Sequence, residues 1–280
     1  IWYTPSSGLW QTVWLEPVPQ SYIARLSMVS DVDASELRLK VLTEGETTGV
    51  TVRAVASDSG SPVAEISGDK GAELRLAIPN AKLWAPGSPH LYDLRVELLR
   101  DGQVVDTVDS YFGMRKISLG KDEQGITRLF LNNRPLFHMG PLDQGFWPDG
   151  LHTAPTDEAL RWDLEFTRDL GFNMIRKHIK VEPARWYYWA DKLGLMVWQD
   201  MPSPSRPETE EERAQFELEL RRMIETRGNS PSIVMWVVWN EGWGQYDTER
   251  LTKWVKEMDP SRLVNNASGW FDKKVGDVMD

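Results

Sequence analysis

Apolar and polar residues alternate in short runs from Tyr22 to about Gly113. Turn-forming Gly, Asp and Pro separate these runs, and Asp101-Gly102 is typical of a tight hairpin. Roughly seven short strands in about a hundred residues, without a helical period, are typical of an immunoglobulin-like β-sandwich. The clearest runs lie at residues 36–42, 50–56, 72–78, 92–99 and 104–108.

A separate alternating stretch occupies residues 1–18, where positions 7–16 predict one strand that Pro17 and Pro19 end. A single strand cannot form a domain because it has no partner for its backbone hydrogen bonds. We therefore expect it either to join the following sheet or to be the last strand of a domain further upstream.

After Arg115-Lys116 the pattern changes to alternating strands and helices. A hairpin is expected around Asn132-Asn133, followed by an apolar strand near 137–142. Further strands are predicted at 173–176, 195–198, 233–238 and 263–266, with a sixth entered at 278–280. The helices between them carry start and stop signals: Thr156 and Gly171, Pro183 and Gly194, a Thr209–Glu212 capping box and Gly228, and Asp247 and Pro260.

Repeated strand–helix units with apolar strands predict a parallel sheet, either a closed (β/α)8 barrel or an open doubly wound sheet. The first strand is not followed by a Gly-rich phosphate loop, which argues against the open sheet. Polar residues also follow successive strands, as if they converged on one rim, which favours an incomplete TIM barrel. They are Asp143, Arg176, His178, Asp200, Asn240, Glu241 and Asn266.

The most informative stretch is 232–244, where six apolar residues, 233–238, suit a strand buried on both faces. The strand ends in Asn240-Glu241, followed by glycines at 242 and 244. Barrel enzymes place their chemistry at the carboxyl ends of such strands. The alternative is that Glu241 is a solvated loop residue or one half of a structural ion pair.

Composition excludes several classes of function. The chain has 280 residues with 42 acidic against 32 basic, so nucleic acid or an anionic membrane is not expected as a partner. It has no Cys and only four scattered His, so we predict no metal and no other cofactor. No long apolar run predicts a membrane span, and the compartment is not predicted.

Tryptophan is abundant, with 14 residues, many of them near Gly, Asn or Asp. Flat aromatic rings can stack on the C–H faces of pyranose sugars, while neighbouring polar groups bind the hydroxyls. We expect half or more of these side chains to be ordinary packing residues, and the rest to be candidates for a sugar site.

The motif Trp236-Val-Val-Trp-Asn-Glu241, preceded by Arg227-Gly-Asn-Ser-Pro-Ser-Ile233, resembles the acid/base signature of family 2 glycoside hydrolases. That family contains β-galactosidases, β-glucuronidases and β-mannosidases. Residues 7–16 resemble the end of its amino-terminal jelly-roll, and residues 143–147 with 171–176 resemble the start of its barrel. The resemblance implies an upstream jelly-roll strand at 1–18, an immunoglobulin-like domain at 19–114 and a truncated catalytic barrel at 115–280.

The resemblance also implies roles for individual residues. Glu241 matches the general acid/base, and Asn240 matches the residue that binds the 2-hydroxyl of the sugar. Such enzymes retain anomeric configuration through a second carboxylate, a Glu on the seventh strand, which this chain does not reach. Other residues expected to bind substrate are Arg176, His178, Asp200, Asp143 and Trp243, although His178 is shifted from the family pattern and lacks the Tyr-Pro that usually follows.

The resemblance implies hydrolysis of terminal β-glycosidic bonds. We expect a β-galactosidase because this activity is frequent in the family, with β-glucuronidase or β-mannosidase as alternatives. Lys177 and Lys180 would suit a uronate carboxylate, or they are solvated surface lysines. A different class is a non-catalytic carbohydrate-binding or scaffold protein with the same fold. We expect the chain to be an excerpt of a longer protein or an incomplete gene product, and to be inactive by itself. Its expected partner is carbohydrate. The full-length form can assemble into a homo-oligomer.

Overall fold

A computed structural model describes residues 4–203 and 207–279 of the chain. These residues form two compact units, one spanning 14–116 and the other combining 4–13 with 117–279. The domain boundaries that we predicted from the sequence remain predictions. Residue 280, where the sixth barrel strand was predicted to continue, lies outside the described residues.

The unit spanning 14–116 is a β-sandwich. One sheet has the strand order β1-β2-β5 and the other β4-β3-β8-β9, with all neighbours antiparallel. The strands are β1 Ser21–Asp31, β2 Glu36–Gly45, β3 Val50–Asp58, β4 Ser61–Asp69, β5 Glu73–Ala77, β6 Trp84–Ala85, β7 Ser88–Pro89, β8 Tyr92–Arg100 and β9 Gln103–Phe112.

The predicted alternation is what builds the sandwich core. Every second residue of the central strands is buried, for example Leu37 and Leu39 in β2 and Val52 and Ala54 in β3. The five predicted runs coincide with β2, β3, β5, β8 and β9. Sequence reasoning did not identify β4 because this edge strand has no fully buried position.

The strand predicted at positions 7–16 is not formed: residues 4–20 belong to no strand, and Leu9 and Leu15 are 88% and 99% exposed. An alternating segment becomes a strand only where a partner strand accepts its hydrogen bonds. Trp10 and Gln11 instead bond to later residues of their own unit. Thr153 Oγ1 donates to the Trp10 carbonyl at 2.9 Å, and Gln11 Nε2 donates to the Val181 carbonyl at 3.0 Å.

The second unit begins with a small antiparallel sheet of β10 Ile117–Lys121, β11 Thr127–Leu131 and β12 Arg134–Pro135. Asn132 and Asn133 join β11 to β12 with φ angles of 53° and 63°, the backbone that a two-residue hairpin needs. The hairpin predicted around these residues is therefore confirmed.

A five-stranded parallel sheet follows, in the sequential order β13-β14-β15-β16-β17. Its elements are β13 Leu142–Asp143, α1 Asp157–Asp169, β14 Met174–Lys177, α2 Ala184–Leu193, β15 Met196–Asp200, α3 Glu210–Arg227, β16 Ile233–Val237, α4 Thr248–Met258 and β17 Leu263–Asn265. The sequential order matches an incomplete barrel, since a doubly wound sheet reverses its order.

The helices pack their apolar faces on one side of this sheet. Buried helix residues such as Leu164, Ala190 and Leu251 form one core with strand residues such as Ile175 and Val197. Residues on the other side of the strands include Met196 and Met235, which are also buried. The apolar strand predicted near 137–142 is reduced to the short edge strand β13, and Phe137 is 78% exposed.

Most predicted helix signals are confirmed. The Thr156 side chain accepts from the Ala159 N–H, Thr209 and Glu212 form the capping box, and Gly194 ends α2 with a φ angle of 77°. Asp247 is the N-cap residue of α4, as predicted, but it makes no side-chain cap. Its φ angle of 42° differs from the extended backbone of a capping residue, and its carboxylate accepts from Arg250 Nε at 3.1 Å.

Candidate active site at the carboxyl ends of the barrel strands

Three of the predicted site residues are joined by direct hydrogen bonds. Arg176 lies in β14, Asp200 ends β15, and Asn240 follows β16. Arg176 Nε and Nη2 donate to the two carboxylate oxygens of Asp200 at 3.0 and 2.9 Å, and Nη2 also donates to Asn240 Oδ1 at 2.9 Å. These strands are adjacent and parallel, so their carboxyl ends bring the three side chains to one point, as the sequence predicted.

The Asp200 carboxylate is almost fully buried, with 1% of its side chain exposed. Burial raises the pKa of Asp200, and the Arg176 guanidinium opposes that rise. Two parallel N–H···O bonds compensate part of the cost of burying this charge. Arg176 therefore binds both carboxylate oxygens of Asp200 and holds the two side chains in a fixed geometry. We call this pair the anchor.

The amide of Asn240 has a defined orientation because Arg176 can only donate. Asn240 Oδ1 accepts from the guanidinium, so the Nδ2 group faces the other way and can donate to a ligand. Asn240 is 7% exposed, which places this donor in a largely water-excluded position.

Glu241 directly follows Asn240 in the chain, and its side chain is exposed. Its backbone has a φ angle of 55°, and its N–H donates to the carbonyls of Ala267 at 2.9 Å and Ser268 at 3.3 Å, in the loop after β17. Within residues 4–203 and 207–279, its carboxylate makes no ion pair or hydrogen bond. The structural ion pair considered as an alternative is therefore not found in this part of the chain.

His178 is close to this anchor. It is 9% exposed, and its Nδ1 has no hydrogen-bond partner among the described residues. Protonated His178 would lower the pKa of Asp200, and the next residue, Ile179, donates its N–H to Asp200 Oδ2 at 3.3 Å. The loop after β14 thus encloses the Asp200 carboxylate.

The structure does not place Asp143 beside Arg176, Asp200 and Asn240. Asp143 Oδ2 is 2.5 Å from Lys177 Nζ, and Lys177 Nζ is 2.9 Å from Glu182 Oε1. Lys177 neighbours Arg176 in β14, so its side chain faces the helices, and its Nζ lies 4.3 Å from the ring centroid of Trp186 in α2.

The suggestion that Lys177 and Lys180 are solvated surface lysines is wrong. They are 1% and 4% exposed, and both ammonium groups pair with Glu182 at 2.9 and 3.0 Å. Their charges are already balanced by the Glu182 and Asp143 carboxylates, so neither supports recognition of a uronate.

Trp243 lines an open depression of about 1190 Å³ together with Glu241. Its side chain is 54% exposed, and two further exposed aromatic residues, Trp270 and Phe271, line the same depression. The sequence analysis did not single out Trp270 from the other tryptophans and did not identify Phe271, because neither lies at a strand end.

Sequence reasoning also missed His138. Its Nδ1 accepts from Trp198 Nε1 at 3.0 Å, and burial lowers its pKa to about 4, so the imidazole is neutral near pH 7. Trp198 lies two residues before Asp200 and therefore on the same face of β15, so His138 borders the site. A lone His before a two-residue strand carries no periodic signal that could have identified it.

The described residues contain no group of three or more His, Asp, Glu or Cys side chains that could hold a metal ion. In the same part of the chain, no helix is long and apolar enough to cross a bilayer.

Comparisons with known proteins agree with this architecture. The sequence model of the family described as glycosyl hydrolases family 2 matches residues 19–115. The model described as the TIM barrel domain of glycosyl hydrolases family 2 matches residues 127–280, more than half of the chain.

Curated relatives include a β-galactosidase from Streptococcus thermophilus, 26% identical over 284 residues that cover 92% of this chain and 27% of the relative. A putative β-glucuronidase from Formosa agariphila is 26% identical over 278 residues, covering 91% of this chain and 33% of the relative. The chain thus spans about a third or less of the length of these proteins.

Solved structures show the same fold. A β-glycosidase from Bacteroides vulgatus superposes with a TM-score of 0.77 at 22% identity, covering 88% of this chain and 33% of its own. A β-glucuronidase from Parabacteroides merdae superposes with a TM-score of 0.74 at 20% identity, with the same two coverages of 88% and 33%. The family-model matches show that the chain belongs to glycosyl hydrolase family 2.

Proposed function

We propose that the chain is the part of a retaining β-glycosidase that holds the general acid/base, Glu241, and the residue that binds the sugar 2-hydroxyl, Asn240. The observation that carries this proposal is the orientation of Asn240. Arg176, itself held by both oxygens of Asp200, takes up the carbonyl oxygen of the Asn240 amide. The amide is left with its N–H groups available for a ligand beside an exposed carboxyl group.

The Asn240 Nδ2 group donates to the oxygen of the sugar 2-hydroxyl. Hydrogen bonds to this hydroxyl strengthen in the oxocarbenium-like transition state of glycoside hydrolysis and supply several kcal/mol. A donor that is already oriented adds this stabilisation without reorganising during the reaction.

Glu241 protonates the glycosidic oxygen as the leaving group departs, and the resulting carboxylate then takes a proton from the attacking water. This double role requires a carboxyl group that is not bound in a permanent ion pair. Glu241 meets that requirement among the described residues, whereas Asp200 does not, because Arg176 binds both of its oxygens.

The nucleophile is proposed to be a second carboxylate, about 5 to 5.5 Å from Glu241, on a barrel strand outside this chain. Asp200 is unsuited to this role because Arg176 stabilises its negative charge and binds both carboxylate oxygens, which are then not available to attack the sugar. The proposed activity therefore belongs to the complete protein.

The proposed substrate is a terminal β-galactoside, with a β-glucuronide as the second candidate because both kinds of enzyme occur among the relatives. Since Lys177 and Lys180 are buried and paired with Glu182, they do not favour a uronate. A β-mannoside and assembly into a homo-oligomer remain predictions from the sequence.

The test is a comparison of the full-length protein with its Glu241→Gln variant on β-galactosides, β-glucuronides and β-mannosides that have good or poor leaving groups. We expect Glu241→Gln to lower kcat/KM about 10²- to 10⁴-fold for poor leaving groups, and much less for dinitrophenyl glycosides, which need no protonation. Glu257→Gln, an exposed carboxyl group on α4, is the matched control.

Wild-type rates of Glu241→Gln on poor leaving groups would contradict the proposed role of Glu241. Saccharide binding without hydrolysis by the full-length wild-type protein would instead support the non-catalytic carbohydrate-binding alternative.

A further inference from the structure

Ile179, in the loop between β14 and α2, has a backbone conformation that its own side chain disfavours. Its φ angle is 46°, in the left-handed region that β-branched residues rarely adopt. Such a conformation persists only where neighbouring contacts enforce it, and it is concentrated at functional sites. With this backbone, the Ile179 N–H donates to Asp200 Oδ2 at 3.3 Å. We call residues 178–183 the strained loop.

The residues on both sides of Ile179 are held by other elements. The His178 N–H donates to the Asp143 carbonyl at 2.8 Å, at the end of β13. The Lys180 carbonyl accepts from Gln199 Nε2 at 2.8 Å, and the Lys180 side chain is buried. The Ile179 side chain, in contrast, is 38% exposed, so its packing does not explain the conformation. The contacts of its two neighbours therefore enforce it.

Gln199 makes the contact on the Lys180 side, and its amide has a defined orientation. Gln199 is fully buried in β15 and precedes Asp200, so it faces the helices while Asp200 faces the site. Its Nε2 donates to the carbonyls of Lys180 and Asp200, which can only accept. Its Oε1 accepts from the Tyr187 hydroxyl at 2.5 Å, and that hydroxyl in turn accepts from the Glu182 N–H at 3.2 Å. The Gln199 amide is thereby fixed at both ends.

We propose that Gln199 is a positioning residue of the active site, which holds the strained loop so that the Ile179 N–H binds Asp200. This N–H is a donor to Asp200 in addition to Arg176, so it stabilises the anchor and, through the anchor, the orientation of the Asn240 amide. Because β14 and β15 each have a neighbouring strand on both sides, these contacts lie inside the sheet. The inference rests on the proposed function, since the orientation of Asn240 affects turnover only if Asn240 binds the sugar.

The test is a double-mutant cycle in the full-length protein, measured as kcat/KM on the glycoside that it cleaves. Gln199→Met keeps the length of the side chain but cannot donate to the two carbonyls. Ile179→Gly removes the strain, because glycine adopts the left-handed conformation freely. We expect Gln199→Met to lower kcat/KM about tenfold in the wild-type background and about twofold or less in the Ile179→Gly background. A purely structural role of Gln199 would give the same loss in both backgrounds.

Tyr187→Phe is a second variant that does not depend on how Gln199→Met folds. It removes only the hydroxyl that fixes the oxygen end of the Gln199 amide and keeps the aromatic ring in the core. It should lower kcat/KM about two- to fivefold, and again less in the Ile179→Gly background. The matched control is Gln215→Met, at an exposed position on α3, which should leave kcat/KM unchanged in both backgrounds.

Hydrogen exchange measured by mass spectrometry tests the same inference without turnover. In Gln199→Met, the peptide that covers the strained loop should exchange faster than in the wild type, while α3 should keep its rate. Unchanged exchange of the strained loop, or an equal effect on kcat/KM in both backgrounds, would overturn the role of Gln199 and leave the proposed function intact. A full-length wild-type protein that cleaves no glycoside would instead overturn the proposed function, and exchange would still show whether Gln199 holds the strained loop.

Discussion

Arg176 is the residue on which the geometry of the site depends. It is the only side chain that contacts both Asp200 and Asn240 in the described hydrogen-bond network, and it determines which end of the Asn240 amide faces a ligand. A planar guanidinium with several fixed donors can make all three bonds at once, whereas an ammonium group cannot reproduce this fork.

Arg176→Lys should therefore lower kcat/KM of the full-length enzyme about 10- to 100-fold while the protein remains folded, because the Asn240 amide loses its fixed orientation. Steady-state kinetics and circular dichroism measure the two effects. Arg222→Lys, at an exposed position on α3, is the control and should behave as wild type. Wild-type kinetics of Arg176→Lys would show that Asn240 is not oriented in this way.

Asp163 on α1 is another residue whose pKa differs from its ordinary value. Partial burial raises its pKa from 3.8 to about 6, the nearby Asp143 and Glu182 carboxylates add to the rise, and Lys177 opposes it. The folded protein thus binds this proton more tightly than the unfolded chain does. The stability contributed by Asp163 is present below about pH 4, is lost as pH rises to about 6, and stays lost above that.

Asp163→Asn should accordingly raise the Tm of the barrel at pH 7.5 and have little effect at pH 4, because asparagine does not ionise. Thermal unfolding of the full-length protein and the variant at the two pH values measures the difference. Asp169→Asn, an exposed carboxyl group on the same helix, provides the comparison. A Tm of Asp163→Asn below that of wild type at pH 7.5 would contradict the predicted direction.

The residue pattern predicted the meeting of Arg176, Asp200 and Asn240 because parallel strands end at a common edge. The sequence also allows the prediction that Lys177 and Arg176 face opposite sides of the sheet, since neighbouring residues of a strand do so. The placement of Asp143 was not available, because it depends on the register of β13 against β14, which pairs Asp143 with Lys177.

At the level of elements, the helix boundaries follow from local chemistry. The α3 helix, Glu210–Arg227, begins with the complete Thr209–Glu212 capping box that its sequence predicts. Thr209 Oγ1 accepts from the Glu212 N–H at 3.2 Å, and Glu212 Oε2 accepts from the Thr209 N–H at 3.0 Å. Both bonds satisfy groups that the first turn of a helix would otherwise leave unpaired.

Thr209→Ala should lower the free energy of unfolding of the barrel by about 1 kcal/mol, because the cap is lost. Thr226→Ala in the last turn of the same helix is the matched control and should be neutral or slightly stabilising, since alanine is the better helix former. Denaturant unfolding of both variants gives the comparison. Equal effects of the two substitutions would show that the capping box contributes nothing specific.

Elements that depend on distant partners could not be predicted in the same way. The alternation in positions 7–16 has the period of a strand, but a strand also needs a neighbour, and none pairs with it among the described residues. The side-chain cap expected at Asp247 is not formed, because this N-cap residue has a φ angle of 42° instead of the extended backbone of a capping residue.

At the level of the whole molecule, periodicity was sufficient for the architecture. Alternation predicted the sandwich, and repeated strand–helix units predicted the parallel sheet, because each pattern determines which faces must be buried. The contact between Phe271 and Gly242 was not predictable to the same extent. It forms only because the loops after β16 and β17 pack together, and the two residues are 29 positions apart.

Azide rescue of Glu241→Ala in the full-length protein tests most directly whether Glu241 is the acid/base of a retaining enzyme. Azide needs no base catalyst to attack the glycosyl-enzyme intermediate, so it should restore turnover of a dinitrophenyl β-glycoside. Because the second displacement restores the original configuration, we predict a β-glycosyl azide by proton NMR. An α-glycosyl azide would identify Glu241 as the nucleophile, and no rescue with wild-type hydrolysis would show that it has no catalytic role.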